Sequence, residues 1–402
     1  MTDRLPKVLF YIPEDSTSQM DGPMADAINI AKSFKIANIP SIFVFNGSPD
    51  KFQKFIDTGA DVRMLDMPLP GFKHHISFLY RRKFSRQLAE LIKAEKIDVL
   101  HLGSRANYVL NYLKTQSILK VCTQGGGTPD PKPLKMLNSW IFNPKRLVKR
   151  WYYKYVTWNF KHADLVVCPS ETARQTAIIA YNVKPEKAVV IRPHAASQLK
   201  TSKIGQIRKE FEVDDDEKII LSVGRITKAK GVEDVGKVAK ILFARGKKFR
   251  FLFAGYERDM DYALRVREKY GKYITFIGHR QDVANAFADA DMLLHLSHRE
   301  GSPLAIIESL EFGLPCIAWD IPGVNEDVYD GLTGKVSPFG NHNHVADSIQ
   351  SILENPVELN RLSNGASMKF SEHSIRDYAG KILSAYECQI SDQLGHSKPK
   401  SL

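Results

Sequence analysis

Apolar, β-favouring runs recur through the first half of the chain at 7–12, 41–45, 61–65, 98–102, 120–123, 164–168 and 188–192, mostly separated by helical patterns or polar loops. Short apolar runs bounded by polar segments predict buried strands, and strands that alternate with helices predict a parallel sheet. After Pro193 a polar, lysine-bearing stretch leads to a strand at 219–223, and further runs follow at 250–254, 274–277, 291–296, 315–319 and 335–337. Two such series joined over 194–215 predict an α/β protein of two Rossmann-like β/α/β lobes facing across a cleft. The first lobe covers 1–195 and the second 196–372. Apolar residues at helical spacing over 374–390 predict a terminal helix, within a segment 373–392 expected to pack back on the first lobe, with a flexible tail at 393–402.

Within the second series, Glu-Gly-Ser-Pro-Leu-Ala-Ile-Ile-Glu at 300–308 stands between a strand at 291–297 and another at 316–319. Gly301 lets backbone approach a ligand, Ser302 is a favourable N-cap and Pro303 suits a first helical turn. A helix is therefore predicted over 303–312, stopped by Gly313 and Pro315. Its unpaired amides and positive dipole end point where Glu300 points, a setting suited to phosphate. A capped surface helix that merely carries glutamates has the same local pattern. What favours a site is the position of the 300–303 loop at the carboxyl end of a strand, where parallel sheets bind ligands.

Gly224 and Arg225 close the first strand of the second lobe, and Lys230 follows before another helical run. Two fixed cations are what a departing diphosphate needs; two solvated loop cations are the plain alternative. Gly22, in Asp-Gly-Pro at 21–23, follows the first strand and opens a helix, where bare backbone can admit a diphosphate or an acceptor. Asp289 and Asp291 resemble the Asp-x-Asp of metal-dependent sugar transferases. Their place at a helix-to-strand junction assigns them structural duty instead, and no metal site is expected.

The chain has 402 residues, 43% hydrophobic and 25% charged, which is room for two soluble domains. No apolar run approaches the ~20 residues needed to span a bilayer, and the N-terminus enters a strand at Lys7 without a signal-peptide pattern. A cytoplasmic protein is expected. Cys122, Cys168, Cys316 and Cys388 show no paired spacing, so they read as buried free thiols. Charge is uneven: residues 1–200 hold 30 Lys/Arg against 16 Asp/Glu, and residues 201–402 hold 27 against 29. Much of the excess lies in two segments. Residues 131–162 carry eight Lys/Arg and no acid among Trp140, Phe142, Trp151, Tyr155, Trp158 and Phe160, and 71–86 repeats the mixture with Arg81, Arg82, Lys83 and Arg86. Cations mixed with amphipathic rings suit an anionic membrane surface. Nucleic-acid stacking is the rival, without any recognisable nucleic-acid module to support it, and a partly buried helical pair is the third option.

With these residues assembled, the chain resembles the family-4 retaining glycosyltransferases, whose two-lobed architecture is called GT-B. The likeness spans nearly the whole chain and is most specific in Ser-Val-Gly-Arg at 222–225 with Lys230 and Gly231, Phe-Ala-Gly at 253–255, Phe-Ile-Gly at 276–278, the 300–308 spacing, and Gly-Leu-Thr-Gly at 331–334. The resemblance implies that Glu300 binds hydroxyls of the donor sugar, Glu308 the ribose hydroxyls, and Arg225 with Lys230 the diphosphate. It implies phosphate cradling by the backbone of Gly301, Ser302, Pro303 and Leu304, and a nucleobase flanked by Arg280. The donor is then a UDP- or GDP-sugar and the acceptor a lipid-linked or other glycan, with no cofactor beyond the substrate.

Two departures stand out. Gln124 and Gly125, in Thr-Gln-Gly-Gly-Gly at 123–127, occupy the place where many relatives carry a histidine near the donor sugar, and an amide cannot shuttle protons. His194, in Arg-Pro-His at 192–194, stands where relatives often have Asn-Gly; it either lines the cleft on the acceptor side or sits in the hinge. The mechanism implied is front-face transfer with retention, in which Arg225, Lys230 and the 301–304 amides take up charge on the leaving group. A nucleotide-sugar epimerase or hydrolase of the same architecture, and a non-catalytic membrane-associated sugar-nucleotide binder, are the competing readings.

Overall fold

The computed structural model describes residues 4–393 except 14–21, 47–52, 66–77, 104–105, 107–108, 114–116, 125–159, 195–202, 258 and 374. The chain divides into two compact units, one of Met1–His194 with Ile375–Leu402 and the other of Ala195–Ser374.

In the first unit, β1 (Val8–Pro13), β2 (Ser41–Asn46), β3 (Asp61–Met64), β4 (Val99–Leu102), β5 (Leu119–Thr123), β6 (Leu165–Cys168) and β7 (Ala188–Val190) form a sheet in the order β3-β2-β1-β4-β5-β6-β7. Every pairing is parallel. Helices cover both faces, so β1 and β6 are apolar throughout rather than alternating, and β4 is apolar but for His101. One face packs Phe10, Phe34 and Phe43 with Tyr378, Ala379, Ile382 and Tyr386 of the terminal helix Ile375–Gln393. That helix is also pinned by polar contacts. Buried His101 on β4 meets the Tyr386 hydroxyl through Nδ1 and Thr123 Oγ1 through Nε2 at 2.7 Å. Burial pushes the imidazole down to about 3, which keeps it neutral at all ordinary pH values.

In the second unit, β8 (Lys218–Val223), β9 (Phe249–Ala254), β10 (Ile274–Gly278), β11 (Met292–His295), β12 (Cys316–Trp319) and β13 (Gly334–Ser337) run in the order β10-β9-β8-β11-β12-β13, again all parallel. The order reverses between β8 and β11, so the loops leaving these two strands diverge to opposite sides and open a crevice at the sheet's carboxyl edge. Arg225 leaves β8 there and Glu300 follows β11. Each of the thirteen strands among the described residues overlaps an apolar run that predicted it.

Asp289 and Asp291 are occupied by the fold. Asp289 accepts from the backbone amides of Gly205, Ile207 at 2.8 Å and Arg208 at 3.2 Å, capping the short helix Gln206–Glu210. Asp291 accepts from the amide of Ile219 and from Lys218 Nζ, each at 2.8 Å, and from Arg208 at 3.3 Å. Two expectations need correcting. Phe160, read as part of a membrane-facing aromatic patch, is buried and stacks on Tyr181 at 5.1 Å. Cys388, read as buried, is exposed on the terminal helix, while Cys122, Cys168 and Cys316 are buried free thiols. No helix among the described residues is long and apolar enough to cross a membrane.

Candidate active site

The site in the second unit is built from two loops fastened to each other. After β8 the chain makes a tight turn at Lys228–Lys230 and enters helix Val232–Ala244 through Gly231, whose φ is +64°. A Cβ at Gly231 would fall 1.9 Å from the carbonyl oxygen of Leu296, so only glycine fits both the backbone conformation and the space. The amide of His298 donates to the carbonyl of Ala229 at 2.9 Å. The turn carrying Lys230 is thereby pressed and hydrogen-bonded to the segment that follows β11, and Gly224 lies alongside the Lys230 stem.

This packing brings Lys230 Nζ to 2.6 Å from Glu300 Oε1. His295 Nε2, from the last residue of β11, reaches the same oxygen at 3.0 Å. Oε2 has no protein partner among the described residues. Glu300 is buried, and burial works to raise its pKa. The charge of Lys230 and the hydrogen bond and charge of His295 outweigh that and hold the carboxyl well below the usual carboxylate range. The loop after β12 supports Glu300 from behind. Gly323 has φ +85° and approaches so closely that a Cβ there would lie 2.6 Å from the Glu300 carbonyl oxygen.

Ser302 does not cap the following helix, contrary to expectation. Its hydroxyl donates to buried Asp327 Oδ2 at 2.9 Å, and extended Pro303 takes the N-cap position of helix Leu304–Glu311, which has no side-chain cap. The reason is position: the helix starts at Leu304, one residue later than the pattern suggests, so the N-cap falls on Pro303, whose side chain has no atom to accept from an amide. The consequence is a helix N-terminus whose first amides, together with those of Gly301 and Ser302, have no protein acceptor among the described residues. One turn on, Glu308 is half-buried; burial first, and then the charge of Glu311, push its carboxyl up to about 7.

Arg225 is half-buried and makes no ion pair among the described residues. Arg280 differs. Its guanidinium is held by Glu210 at 2.7 and 2.8 Å and by Asp282 at 3.0 and 2.9 Å, with Phe211 beneath it. All three of its nitrogens are engaged by carboxylates, which makes it a clamp between the helix Gln206–Glu210 and the loop after β10.

In the first unit, Gly22 begins helix Gly22–Ile36. Gln124 is buried; its backbone N–H donates to the Val167 carbonyl at 2.8 Å and its side-chain Oε1 accepts from the Cys168 thiol at 4.0 Å. Gly125 lies outside the described residues, as do 132–159 and 71–77 of the basic aromatic segments. Of the second segment, Arg82, Lys83 and Arg86 are exposed on helix Phe78–Ala94. His194 is buried against Asn29, with Nε2 at 3.1 Å from its carbonyl, and its ring lies 4.6 Å from Tyr378. It is the last residue of the first unit before the chain passes to the second.

Sequence reading missed His295, although a histidine inside a buried apolar strand is a visible signal that its ring needs a partner. It also missed Asp234, which accepts from His298 Nε2 at 2.6 Å, His342 Nε2 at 2.8 Å and Lys237 Nζ at 3.0 Å. These residues come from three separate elements, and no spacing announces them.

Comparison with known proteins places both units. The family model described as Glycosyltransferase Family 4 matches residues 28–194, and the one described as Glycosyl transferases group 1 matches residues 203–368. The N-acetyl-alpha-D-glucosaminyl L-malate synthase of Bacillus anthracis is 25% identical over 327 residues, covering 79% of this chain and 81% of that protein. The alpha-monoglucosyldiacylglycerol synthase of Streptococcus pneumoniae is 24% identical over 362 residues, covering 86% and 78%. Among solved structures, HepE of Anabaena in complex with UDP and glucose superposes with a TM-score of 0.73 at 17% identity, covering 95% of this chain and 99% of that one.

Proposed function

The chain belongs to glycosyltransferase family 4, with the two Rossmann-like sheets of the GT-B fold, and we propose that it is a retaining, metal-independent hexosyltransferase moving sugar from a UDP- or GDP-sugar to a lipid-linked glycan or glycolipid hydroxyl. The observation that carries the reading is Glu300. It is a buried carboxylate with one oxygen filled by Lys230 and His295, the other open to accept from a sugar hydroxyl, and uncapped amides beginning at the next residue.

The second unit holds the donor. The amides of Gly301, Ser302 and Leu304, with Arg225, take the diphosphate, Lys230 is shared between it and Glu300, and Glu308 accepts from the ribose hydroxyls. As the glycosidic bond loosens, negative charge grows on the diphosphate; preorganised donors and cations there lower the barrier because they need no rearrangement. The acceptor hydroxyl attacks on the face the leaving group vacates. Glu300 orients the sugar. The full engagement of Asp289 and Asp291 by amides and cations supports transfer without a divalent ion. The glycolipid-forming relative and the basic segments support work at the cytoplasmic face of a membrane.

The test is a thermal-shift screen of UDP-, GDP- and ADP-sugars, with UDP-sugars first because HepE was solved with UDP, followed by NMR analysis of products from lipid-linked acceptors. An α-linked product from an α-linked donor is expected. An inverted linkage refutes retention, free sugar alone makes the protein a hydrolase, isomerised donor makes it an epimerase, and binding without turnover makes it a sugar-nucleotide sensor.

A further inference from the structure

We propose that His295 is a positioning residue that keeps the Glu300 carboxylate in place while Lys230 is drawn toward the donor's diphosphate. The inference rests on the reading of Glu300 as the sugar-orienting group. Its foundation is that two donors of different character share one oxygen: Lys230 Nζ at 2.6 Å and His295 Nε2 at 3.0 Å, both on Oε1.

The two donors differ in how they are held. Lys230 carries its ammonium on a rotatable stem from a partly exposed turn, whereas His295 is a buried ring on β11, whose backbone is paired to Ala318 of β12. When a diphosphate arrives, the ammonium can be shared with it. The imidazole cannot follow. Were Lys230 the only donor, its displacement would strip a buried carboxylate of its partner, a cost that opposes donor binding. With His295 in place Oε1 remains filled, the carboxylate plane keeps its orientation, and Oε2 stays directed at the sugar. The arrangement also assigns the proton to Nε2. Among the described residues, the charged groups facing His295 are Glu300 and, through the shared oxygen, Lys230.

His295→Met removes the donor at similar volume, and His295→Gln retains one. With the full chain and with UDP-glucose and UDP-N-acetylglucosamine as donors, His295→Met is expected to lower kcat about ten- to a hundredfold, the scale of one hydrogen bond to a charged group. UDP affinity should be unchanged, and the acid limb of kcat/KM should move to higher pH because Glu300 has lost a group favouring its charged form. His295→Gln should recover most of the turnover. Wild-type kcat and acid limb in His295→Met, or a Gln variant no better than Met, overturns the proposal.

A second measurement needs neither turnover nor a folded Met variant: ¹⁵N NMR of the labelled His295 ring in wild type, free and with UDP, and in Lys230→Ala. The Nε2–H signal should stay protected from solvent exchange in all three, because the bond to Glu300 outlasts withdrawal of the ammonium. A ring without a proton on Nε2, or protection lost when UDP binds or Lys230 is removed, overturns the proposal. Normal turnover by Glu300→Gln sinks the reading of Glu300 and this inference with it. Inactive Glu300→Gln beside an unaffected His295→Met sinks this inference alone.

Discussion

Lys230 Nζ sits 2.6 Å from Glu300 Oε1, so one of the two cations assigned to the leaving group is also the counter-charge of the group assigned to the sugar. Arg225 has no such partner among the described residues. The two cations should therefore behave differently when removed. Arg225→Ala is expected to lower turnover about a hundredfold, the scale of losing one preorganised charge-stabilising group, with stability unchanged. Lys230→Ala should lose at least as much activity and also about 1–3 kcal/mol of stability, because it leaves a buried carboxylate short of a donor. Denaturant melts of both variants check this. The sign with pH is fixed by Glu300, whose folded pKa lies below its unfolded one. The pair's stabilisation is complete above the unfolded value of ~4 and fades as pH falls from there toward the folded one, so the two melts should converge in acid. Equal stability of the two variants at neutral pH would contradict the ion pair.

Glu300→Gln should abolish transfer while leaving nucleotide affinity nearly intact, because the proposed partner is the sugar. Calorimetry with UDP beside a turnover assay separates the two quantities. A folded variant with near-normal turnover refutes the assignment.

Glu308 gives a pH test of the ribose contact. Its carboxyl is pushed up to about 7, by burial first and then by Glu311, so it is largely protonated below that pH. A carboxylate accepting from two ribose hydroxyls must be ionised, so bound donor pulls the proton off. Affinity for UDP-glucose should then weaken as pH drops through about 7, by up to about tenfold per unit, and level off above it. A diphosphate esterified at both ends does not itself titrate near neutrality, so the slope belongs to the protein. Glu308→Gln should flatten it, and a slope that survives that substitution assigns the titration elsewhere.

Transfer should survive exhaustive chelation. The Asp289 carboxylate holds three backbone amides around Gly205–Arg208, so Asp289→Ala should cost about 1–3 kcal/mol of stability rather than a metal requirement. Loss of activity in EDTA, restored by Mg²⁺ or Mn²⁺, would return these aspartates to metal duty.

The strands were legible because both faces of each sheet are covered, which turns a strand into an apolar run such as Ile219–Ile220–Leu221 that stands out against polar loops. Glu300, Arg225 and Lys230 were legible through their place after β8 and β11. What escaped was pairing across distance. Nothing local to Ser302 says that its hydroxyl will donate to Asp327, 25 residues on, and nothing local to Arg280 says that Glu210 will claim it. His295 escaped for a different reason: apolar periodicity counts a histidine as an interruption, whereas in the fold it turns its polar edge to Glu300.

The last prediction concerns where the enzyme works. Arg82, Lys83 and Arg86 are exposed along one helix of the first unit, and the sequence from 132 to 161 adds eight more cations without an acid. Phe160, buried against Tyr181, removes one aromatic from that segment's outward face, so the membrane reading leans more on charge than the sequence suggested. Each cation near an anionic surface contributes at most ~1 kcal/mol, and several together hold a protein there reversibly. Salt shortens the reach of each charge, so binding must weaken as ionic strength rises. Co-sedimentation with phosphatidylserine vesicles is therefore expected at low salt, with loss at high salt and on joint neutralisation of Arg82, Lys83, Arg86, Lys145, Arg146, Lys149 and Arg150. Binding of equal strength to neutral vesicles would assign adhesion to apolar insertion instead. No binding to anionic vesicles at low salt would point to an acceptor in solution.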